Sequence, residues 1–255
     1  MENNMQSKIS ENLSVESYKN LLSKKEVKLV ETKRDIPLWV DELKIPLNKE
    51  KVLPLQVWLI NEPVDLLNDR LVDNLVKFGF SDEISKFIAK DVSYMVNFFI
   101  ELTGDKNPFV SLRTIDSLYF KEGEKSVSKD WHVDTAVLTL TCTYSGRGTE
   151  WTTNDNPAIR KRFEDEKILK NVDFNLDSNE IHEMGLFEAS VLKGEIRNSE
   201  DKGSKEFLLN FLKEDEIEPF NINEGLLHRG PGYIKGDGRR LLLTVSTMRI
   251  PSWLH

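Results

Sequence analysis

The chain has 255 residues, with 43 acidic and 35 basic side chains and a net charge of −8 at pH 7. This length allows one large domain, or one domain with a smaller appendage. The acidic balance disfavours a general nucleic-acid binder, which would need a basic surface. The single cysteine, Cys142, excludes an internal disulfide and a cysteine-rich zinc site, and it fits a reducing compartment.

The N-terminal segment is polar, of mixed charge, and lacks the apolar core of a signal peptide. The longest apolar run, around VSYMVNFFIEL, is too short for a membrane span and is flanked by charge. We therefore expect a cytoplasmic protein without a membrane partner, in which residues 1–25 form a flexible arm.

Two amphipathic helices are predicted next. Residues 65–78 place leucines at helical spacing, and residues 81–103 follow with Ser81 as N-cap and Gly104 as the stop. The apolar positions of the second helix recur at spacings of three and four: Ile84, Phe87, Ile88, Met95, Val96, Phe99 and Leu102. We interpret residues 26–107 as a mainly helical layer whose apolar stripe belongs to the core.

After Asn107 and Pro108 the pattern changes to alternating segments rich in β-formers: FVSLRTIDSLYF, TAVLTLTCTY, FEASVLKGEI and RRLLLTVSTM. They lack the regular strand–helix alternation of a Rossmann sheet. Residues 154–185 form a charged insertion, mostly loop with room for a short helix. The sequence therefore predicts an α+β fold, with the helical layer packed on an antiparallel sandwich or jelly-roll barrel over residues 108–255. Such barrels hold small ligands in their mouths.

The glycine-rich segment SGRGTEW lacks the lysine and the strand-to-helix setting of a phosphate loop. We interpret its glycines as a tight hairpin turn. Arg147, Glu150 and Trp151 could then lie at the rim of a site.

A candidate metal site begins at WHVD. His132 and Asp134 are two residues apart, so in an extended segment both side chains point to the same face. His228 lies in the strand-like run EGLLHRGPGY. Two imidazoles and one carboxylate make the facial triad of non-heme Fe(II) oxygenases, which leaves positions open for a bidentate co-substrate and O₂.

Two arginines, Arg239 and Arg240, open the last strand, about a dozen residues after His228. An arginine fork can hold a carboxylate through two parallel hydrogen bonds. Successive strand residues face opposite ways, so only one of the two should point inward, and the periodicity leaves open which one.

His-x-Asp, a distant His and then Arg resembles the Fe(II)/2-oxoglutarate-dependent oxygenase superfamily, whose fold is a double-stranded β-helix. More narrowly, WHVD…TCTYSGRGTEW, VLKGE, HRGPG and RRLLLT are similar to a bacterial protein family with the core F/WHxD…TYxGxGTEW…HR-S/G-P…RLLL, over roughly residues 108–248. The resemblance implies His132, Asp134 and His228 as iron ligands. It favours Arg240 over Arg239 as the anchor of the 2-oxoglutarate co-substrate.

One departure and one correspondence refine what the resemblance implies. The common superfamily pattern has Ser two residues after the Arg, where this chain has Leu242, and this puts the 2-oxoglutarate pocket in question more than the metal site. Asp134 is a carboxylate, where related halogenases have Gly or Ala. The resemblance therefore implies a dioxygenase of the hydroxylase type.

Further candidates come from position alone. Arg113 lies mid-strand, and if it faces inward it is the best candidate to bind a carboxylate or phosphate of the substrate. Tyr144, Trp151 and Arg229 are weaker candidates for substrate binding because they neighbour motif residues. We interpret Cys142 as a core residue, and His182 and His255 as a solvated loop residue and a frayed terminus.

The leading hypothesis is a hydroxylating oxidoreductase that uses Fe(II), 2-oxoglutarate and O₂ on a small-molecule metabolite, with nucleic acid disfavoured as a substrate by the acidic charge. The alternative is a cupin-like metal protein without 2-oxoglutarate, such as a dioxygenase, an isomerase or a metal-binding module. A third hypothesis is a non-catalytic barrel that senses a ligand. The missing serine motivates the cupin-like alternative.

Overall fold

The structure is a computed structural model that describes residues 7–9, 13–47, 55–59, 66–115, 131–134, 136–152, 180–194, 225–231 and 239–247. Within these ranges it contains four α-helices and ten strands that belong to two sheets. Most of the charged insertion, over residues 154–179, and the terminal His255 lie outside the described residues.

Both predicted helices are confirmed. Helix α3 spans Leu67–Phe78, and helix α4 spans Asp82–Thr103. The Ser81 hydroxyl accepts a hydrogen bond from the Ile84 amide at 3.2 Å, which satisfies one of the free donors of the first turn. Gly104 ends α4 in the left-handed region at φ 74°, where glycine carries no steric penalty.

The N-terminal segment is more ordered than the predicted arm. Strand β1 (Ser7–Ile9) and helix α1 (Val15–Leu22) both lie inside it. Tyr18 and Leu22 are fully buried, and the Tyr18 hydroxyl donates to the Ala189 carbonyl at 2.6 Å. The prediction of a flexible arm is therefore wrong for residues 13–25, because α1 contributes its apolar face to the core.

The predicted helical layer also contains strands. Strand β2 (Leu29–Thr32) and strand β3 (Gln56–Leu59) join the larger sheet. Between them lie a 3₁₀ segment, Leu38–Leu43, and the one-turn helix α2, Lys44–Leu47. The layer is thus mixed rather than purely helical, since short strands in it extend both edges of the sheet.

The main sheet has seven strands in the order β1-β2-β8-β5-β10-β4-β3. Its four remaining strands are those that the alternating pattern predicts: β4 (Phe109–Ile115), β5 (Leu138–Ser145), β8 (Ala189–Lys193) and β10 (Arg240–Thr247). Every pair is antiparallel except β1–β2. The fold is therefore a mixed helix and antiparallel-sheet structure, as predicted at that level.

A smaller sheet has three strands in the order β7-β6-β9: β7 (Ile181–Glu183), β6 (Glu150–Thr152) and β9 (Leu227–Arg229). The SGRG turn links β5 of the main sheet to β6 of the smaller one, so the predicted hairpin is wrong. The end of the insertion is also a strand, β7, rather than a loop. Gly146 has φ 80°, and a β-carbon there would lie 2.8 Å from the Arg240 α-carbon, so the turn needs a residue without a side chain.

The two faces of the main sheet differ in chemistry. One face packs Leu140, Tyr144, Leu241 and Leu243 against helices α3 and α4 in the main hydrophobic core. The opposite face, called the inner face below, carries Thr139, Thr141, Thr143, Ser111 and Ser190, all buried. A second cluster joins the inner face to the smaller sheet, and it consists of Leu29, Trp151, Met184, Leu192 and Leu226. The smaller sheet therefore covers the inner face, and polar side chains lie between the sheets.

None of the helices in the described ranges is long and apolar enough to cross a membrane.

Candidate metal centre

His132 and His228 are held opposite each other by the backbone. The amide of each residue donates to the carbonyl of the other at 2.9 Å, which forms an isolated antiparallel bridge beside β9. Their ring centroids lie 4.4 Å apart. The two predicted histidines, 96 positions apart in sequence, are thus brought together by two hydrogen bonds that the sequence pattern does not reveal.

Asp134 completes the cluster. Its Oδ1 atom lies 3.7 Å from His132 Nε2 and 3.4 Å from His228 Nε2. The three possible ligand atoms all lie within 4.8 Å of one another. Neighbouring ligand atoms at about 2.1 Å from a common ion stand roughly 3 Å apart, so a small shift of these side chains would bring all three onto one divalent cation.

The electrostatics of the cluster favour metal-binding protonation states. Burial alone would raise the pKa of Asp134, but the charges and hydrogen bonds of His228 and His132 outweigh burial and hold it below its usual value. For His228, burial lowers the pKa and Asp134 more than compensates, so its pKa lies above the usual value. Asp134 is therefore ionised at neutral pH, as a ligand carboxylate must be.

The second nitrogen of His228 is already engaged. Its Nδ1 lies 3.0 Å from the Leu226 carbonyl oxygen, an acceptor, so Nδ1 carries the proton when the ring is neutral. Nε2 then presents its lone pair on the side of Asp134. Ligand histidines in metal sites commonly have this second hydrogen bond, which sets the ring orientation and the tautomer.

The backbone around Asp134 is packed against Gly194, a residue whose role the sequence did not reveal. The Gly194 amide donates to the Val137 carbonyl at 3.0 Å. A β-carbon on Gly194 would lie 1.8 Å from the Ala136 carbonyl oxygen and 2.5 Å from that of Asp134. The glycine of VLKGE therefore allows β8 to approach the loop that carries the carboxylate.

The inner face around the triad is polar. Thr139 hydrogen-bonds Asp134, and three further hydroxyls, those of Ser111, Thr141 and Ser190, are buried without a hydrogen-bond partner. Ser111 and Thr141 both lie opposite Thr244, and Thr141 also pairs with Ser190, so the three hydroxyls belong to one row across four strands. Buried hydroxyls without partners are costly, and a polar ligand or water would satisfy them. The sequence analysis missed this row, although its signal is the alternation of Thr with Leu in β5.

Arg240 points to the inner face. Its Nη2 donates to Thr143 Oγ1 at 3.2 Å and to Thr149 Oγ1 at 2.6 Å, and its Nε is buried without a partner. Burial, and then the charge of Arg113, lower the pKa of Arg240 to about 10. Arg239 precedes the strand and lies one residue out of phase with Arg240. Within the described ranges, no carboxylate forms an ion pair with Arg240.

Arg113 also belongs to the inner face, because it pairs with Leu242, two residues from Arg240. Burial lowers its pKa, and the charge of Asp134 raises it. Trp151 lies opposite His228 in the smaller sheet, and its ring stacks on the exposed His182 ring at 4.4 Å. These side chains surround the triad.

Tyr144 and Arg229 do not join the site. Tyr144 faces the helices, where its hydroxyl donates to Asp91 Oδ2 at 2.7 Å. Arg229 neighbours His228 and therefore points to the other face of the smaller sheet, where its Nε donates to Glu150 at 2.7 Å. Glu150 and Arg147 belong to the same outer network. Cys142 lies in the core, as predicted.

The family comparison gives one match, and it covers most of the chain. A family model described as "Protein of unknown function (DUF1826)" matches residues 24–246. No curated protein matches the sequence.

Several solved structures have a similar overall shape. Dioxygenase for auxin oxidation 1 of Arabidopsis thaliana, solved with 2-oxoglutarate, has a TM-score of 0.46 at 10% identity, covering 98% of this chain and 97% of that chain. The rice dioxygenase for auxin oxidation has a TM-score of 0.46 at 12% identity, covering 94% and 82%. A full-length protein of Neurospora crassa, solved in complex with alpha-KG, has a TM-score of 0.41 at 12% identity, covering 91% and 78%. Likeness at this level does not determine the activity of this chain.

Proposed function

The chain belongs to the DUF1826 family, whose model matches residues 24–246, and we propose that it is an Fe(II)- and 2-oxoglutarate-dependent oxygenase with a double-stranded β-helix core. The observation that carries the proposal is the convergence of His132, Asp134 and His228, with ligand atoms within 4.8 Å of one another. The polar inner face and the buried Arg240 support it.

The donor set fits the proposed ion. Two imidazole nitrogens and one carboxylate oxygen are the ligands of non-heme iron oxygenases, and the Leu226 carbonyl holds His228 in the tautomer that such a site needs. With iron bound, a centre of this class couples the oxidation of 2-oxoglutarate to succinate and CO₂ to the oxidation of a substrate C–H bond by O₂. All three ligands come from one side, so the remaining positions face the inner face of the main sheet.

The protein's own contributions are binding and orientation. Arg240, held by Thr143 and Thr149, presents its buried Nε to the inner face and would bind the distal carboxylate of 2-oxoglutarate. The row of buried hydroxyls on the inner face offers donors and acceptors to a polar ligand. The covering sheet limits access of water, which strengthens these electrostatic contacts. A small-molecule metabolite is the proposed substrate, in keeping with a site enclosed between two sheets.

The test is anaerobic visible absorption of the metal-free protein, to which Fe(II) and then 2-oxoglutarate are added. We expect a weak charge-transfer band that needs both additions. The His132→Ala variant should lose stoichiometric iron by metal analysis, whereas the matched variant His182→Ala, which removes an exposed histidine, should keep it. Iron retained at wild-type stoichiometry in His132→Ala would contradict the triad.

A second function is favoured by one observation. Leu242 stands where the superfamily pattern has Ser, and Arg240 Nη2 is already bonded to two threonines. A cupin-like metal protein that does not use 2-oxoglutarate would have these features. It predicts bound iron, no charge-transfer band, and metal binding unchanged by Arg240→Gln.

A further inference from the structure

Arg113 and Arg240 are diagonal neighbours on the inner face. In the antiparallel pair β4–β10, Arg240 lies opposite Ile115 and Arg113 lies opposite Leu242. Diagonal residues of such a pair have β-carbons about 7–8 Å apart, which two arginine side chains span easily. Strands β4 and β10 therefore place two guanidinium groups on one side of the sheet, with no strand between them.

The charges of these two arginines are poorly compensated. Within the described ranges, Arg113 has no hydrogen bond or ion pair, and the hydrogen bonds of Arg240 go to the uncharged Thr143 and Thr149. Arg240 is only 6% exposed and its Nε lacks a partner. Asp134 acts on Arg113, but it also serves His132 and His228. Buried cations without a counter-charge are unfavourable, so this arrangement favours a bound anion.

We propose that Arg113 and Arg240 form one anion site that holds a single carboxylate between them. The two guanidinium groups repel each other, and burial and then this repulsion lower the pKa of Arg240. One carboxylate in contact with both relieves the repulsion, whereas an anion bound by Arg113 alone, elsewhere in the pocket, would leave it in place. The site thus differs from one arginine assisted by a neighbouring hydroxyl.

The position of Leu242 explains why the second arginine is needed. A leucine cannot donate a hydrogen bond, and Arg113 is the residue directly across from it on β4. Arg113 therefore supplies donors at the place where the superfamily pattern has a serine. The identity of the carboxylate as the distal group of 2-oxoglutarate rests on the proposed function, but the two-arginine site itself does not.

The experiment compares two 2-oxo acids of equal length, 2-oxoglutarate and 2-oxopentanoate, which lacks the distal carboxylate. Their affinities for the Fe(II) protein are measured anaerobically from the charge-transfer band, in the wild type, Arg113→Gln, Arg240→Gln and the double variant. Arg70→Gln, which removes a charge from the exposed side of α3, is the matched control.

We expect Arg113→Gln to weaken 2-oxoglutarate binding by about 10- to 100-fold, the loss typical of a hydrogen bond to a charged group. Binding of 2-oxopentanoate should not change, and the double variant should lose less than the product of the two single losses, because both arginines hold the same group. Unchanged 2-oxoglutarate affinity in Arg113→Gln, with a loss in Arg240→Gln, would overturn the shared site and leave the proposed function intact.

If the wild type gives no band with 2-oxoglutarate, the proposed function fails, and the site is tested without metal. The probe is then glutarate, and the readout is the rise in melting temperature of the metal-free protein. A rise that disappears in both single arginine variants and persists in Arg70→Gln supports the two-arginine site. No rise in the wild type overturns it.

Discussion

Replacing Gly194 by alanine should impair metal binding, although Gly194 is not a ligand. A β-carbon at this position would lie 1.8 Å from the Ala136 carbonyl oxygen and 2.5 Å from the Asp134 carbonyl oxygen, whereas real β-carbons essentially never approach within 3.0 Å. Both contacts are to backbone atoms, which cannot rotate away as a side chain can. The segment from Asp134 to Ala136 must therefore move relative to β8.

The required displacement is about 1.2 Å, the gap between the built contact at Ala136 and the 3.0 Å limit. Metal ligands need distances within about 0.2 Å of ideal, and a 1 Å misplacement in an active site can cost about 100-fold. We expect Gly194→Ala to lower the Fe(II) affinity by about 10- to 100-fold. Overpacking should also lower the free energy of unfolding by about 1–3 kcal/mol.

The assay is anaerobic competition for Fe(II) with a chromogenic chelator, together with thermal unfolding of the metal-free protein. Gly104→Ala is the matched control. Gly104 ends α4 at φ 74° with nothing within 4 Å of an added β-carbon, so alanine there costs about 1 kcal/mol of backbone strain without reaching the triad. Wild-type iron affinity in a folded Gly194→Ala protein would refute the link between this close approach and the position of Asp134.

Three further outcomes follow from the same structure. His132→Ala should lose the rise in melting temperature that Fe(II) gives the wild type, and an unchanged rise would contradict its role as a ligand. Tyr144→Phe removes the hydrogen bond to Asp91 and should destabilise the protein by about 1–2 kcal/mol in denaturant unfolding, with iron affinity unchanged, because Tyr144 faces the helices. Burial and then the charge of Glu188 raise the pKa of Glu31 to about 7, so ionising Glu31 costs stability as the pH rises from its usual pKa through 7. Glu31→Gln should therefore match the wild type near pH 4.5 and exceed its unfolding free energy by about 2 kcal/mol at pH 8.5, and an equal difference at both pH values would contradict this reasoning.

Local patterns predicted those elements whose signals are local. The helix of residues 81–103 was predictable because its cap, its apolar spacing and its terminal glycine all lie within one segment. The four long strands of the main sheet were predictable from alternation for the same reason. The hairpin at SGRGTEW was predicted wrongly because glycines specify a turn but not the sheet that the next strand enters. The core role of Tyr18 was missed because its partner, Ala189, is 171 residues away.

The candidate site shows the same division. The ligand types and the order His132, Asp134, His228 are visible in the sequence, as is the choice between Arg239 and Arg240 as an open question. Chain order alone cannot decide between the two arginines, because alternation gives two equivalent assignments until the sheet has an inside. The pairing of β10 with β4 and β5 selects Arg240, and it places Arg113 beside Arg240.

The sequence by itself determined the composition class, the two long helices, the main strands and the three residues that could bind a metal. Only the tertiary structure decided that the triad converges, that Gly194 packs against the Asp134 loop, and that the inner face carries buried hydroxyls and two arginines. The physical reason is that secondary structure and residue chemistry depend on neighbours in sequence. Convergence depends on strand register, on backbone hydrogen bonds between distant residues such as His132 and His228, and on which face of the sheet the helices cover.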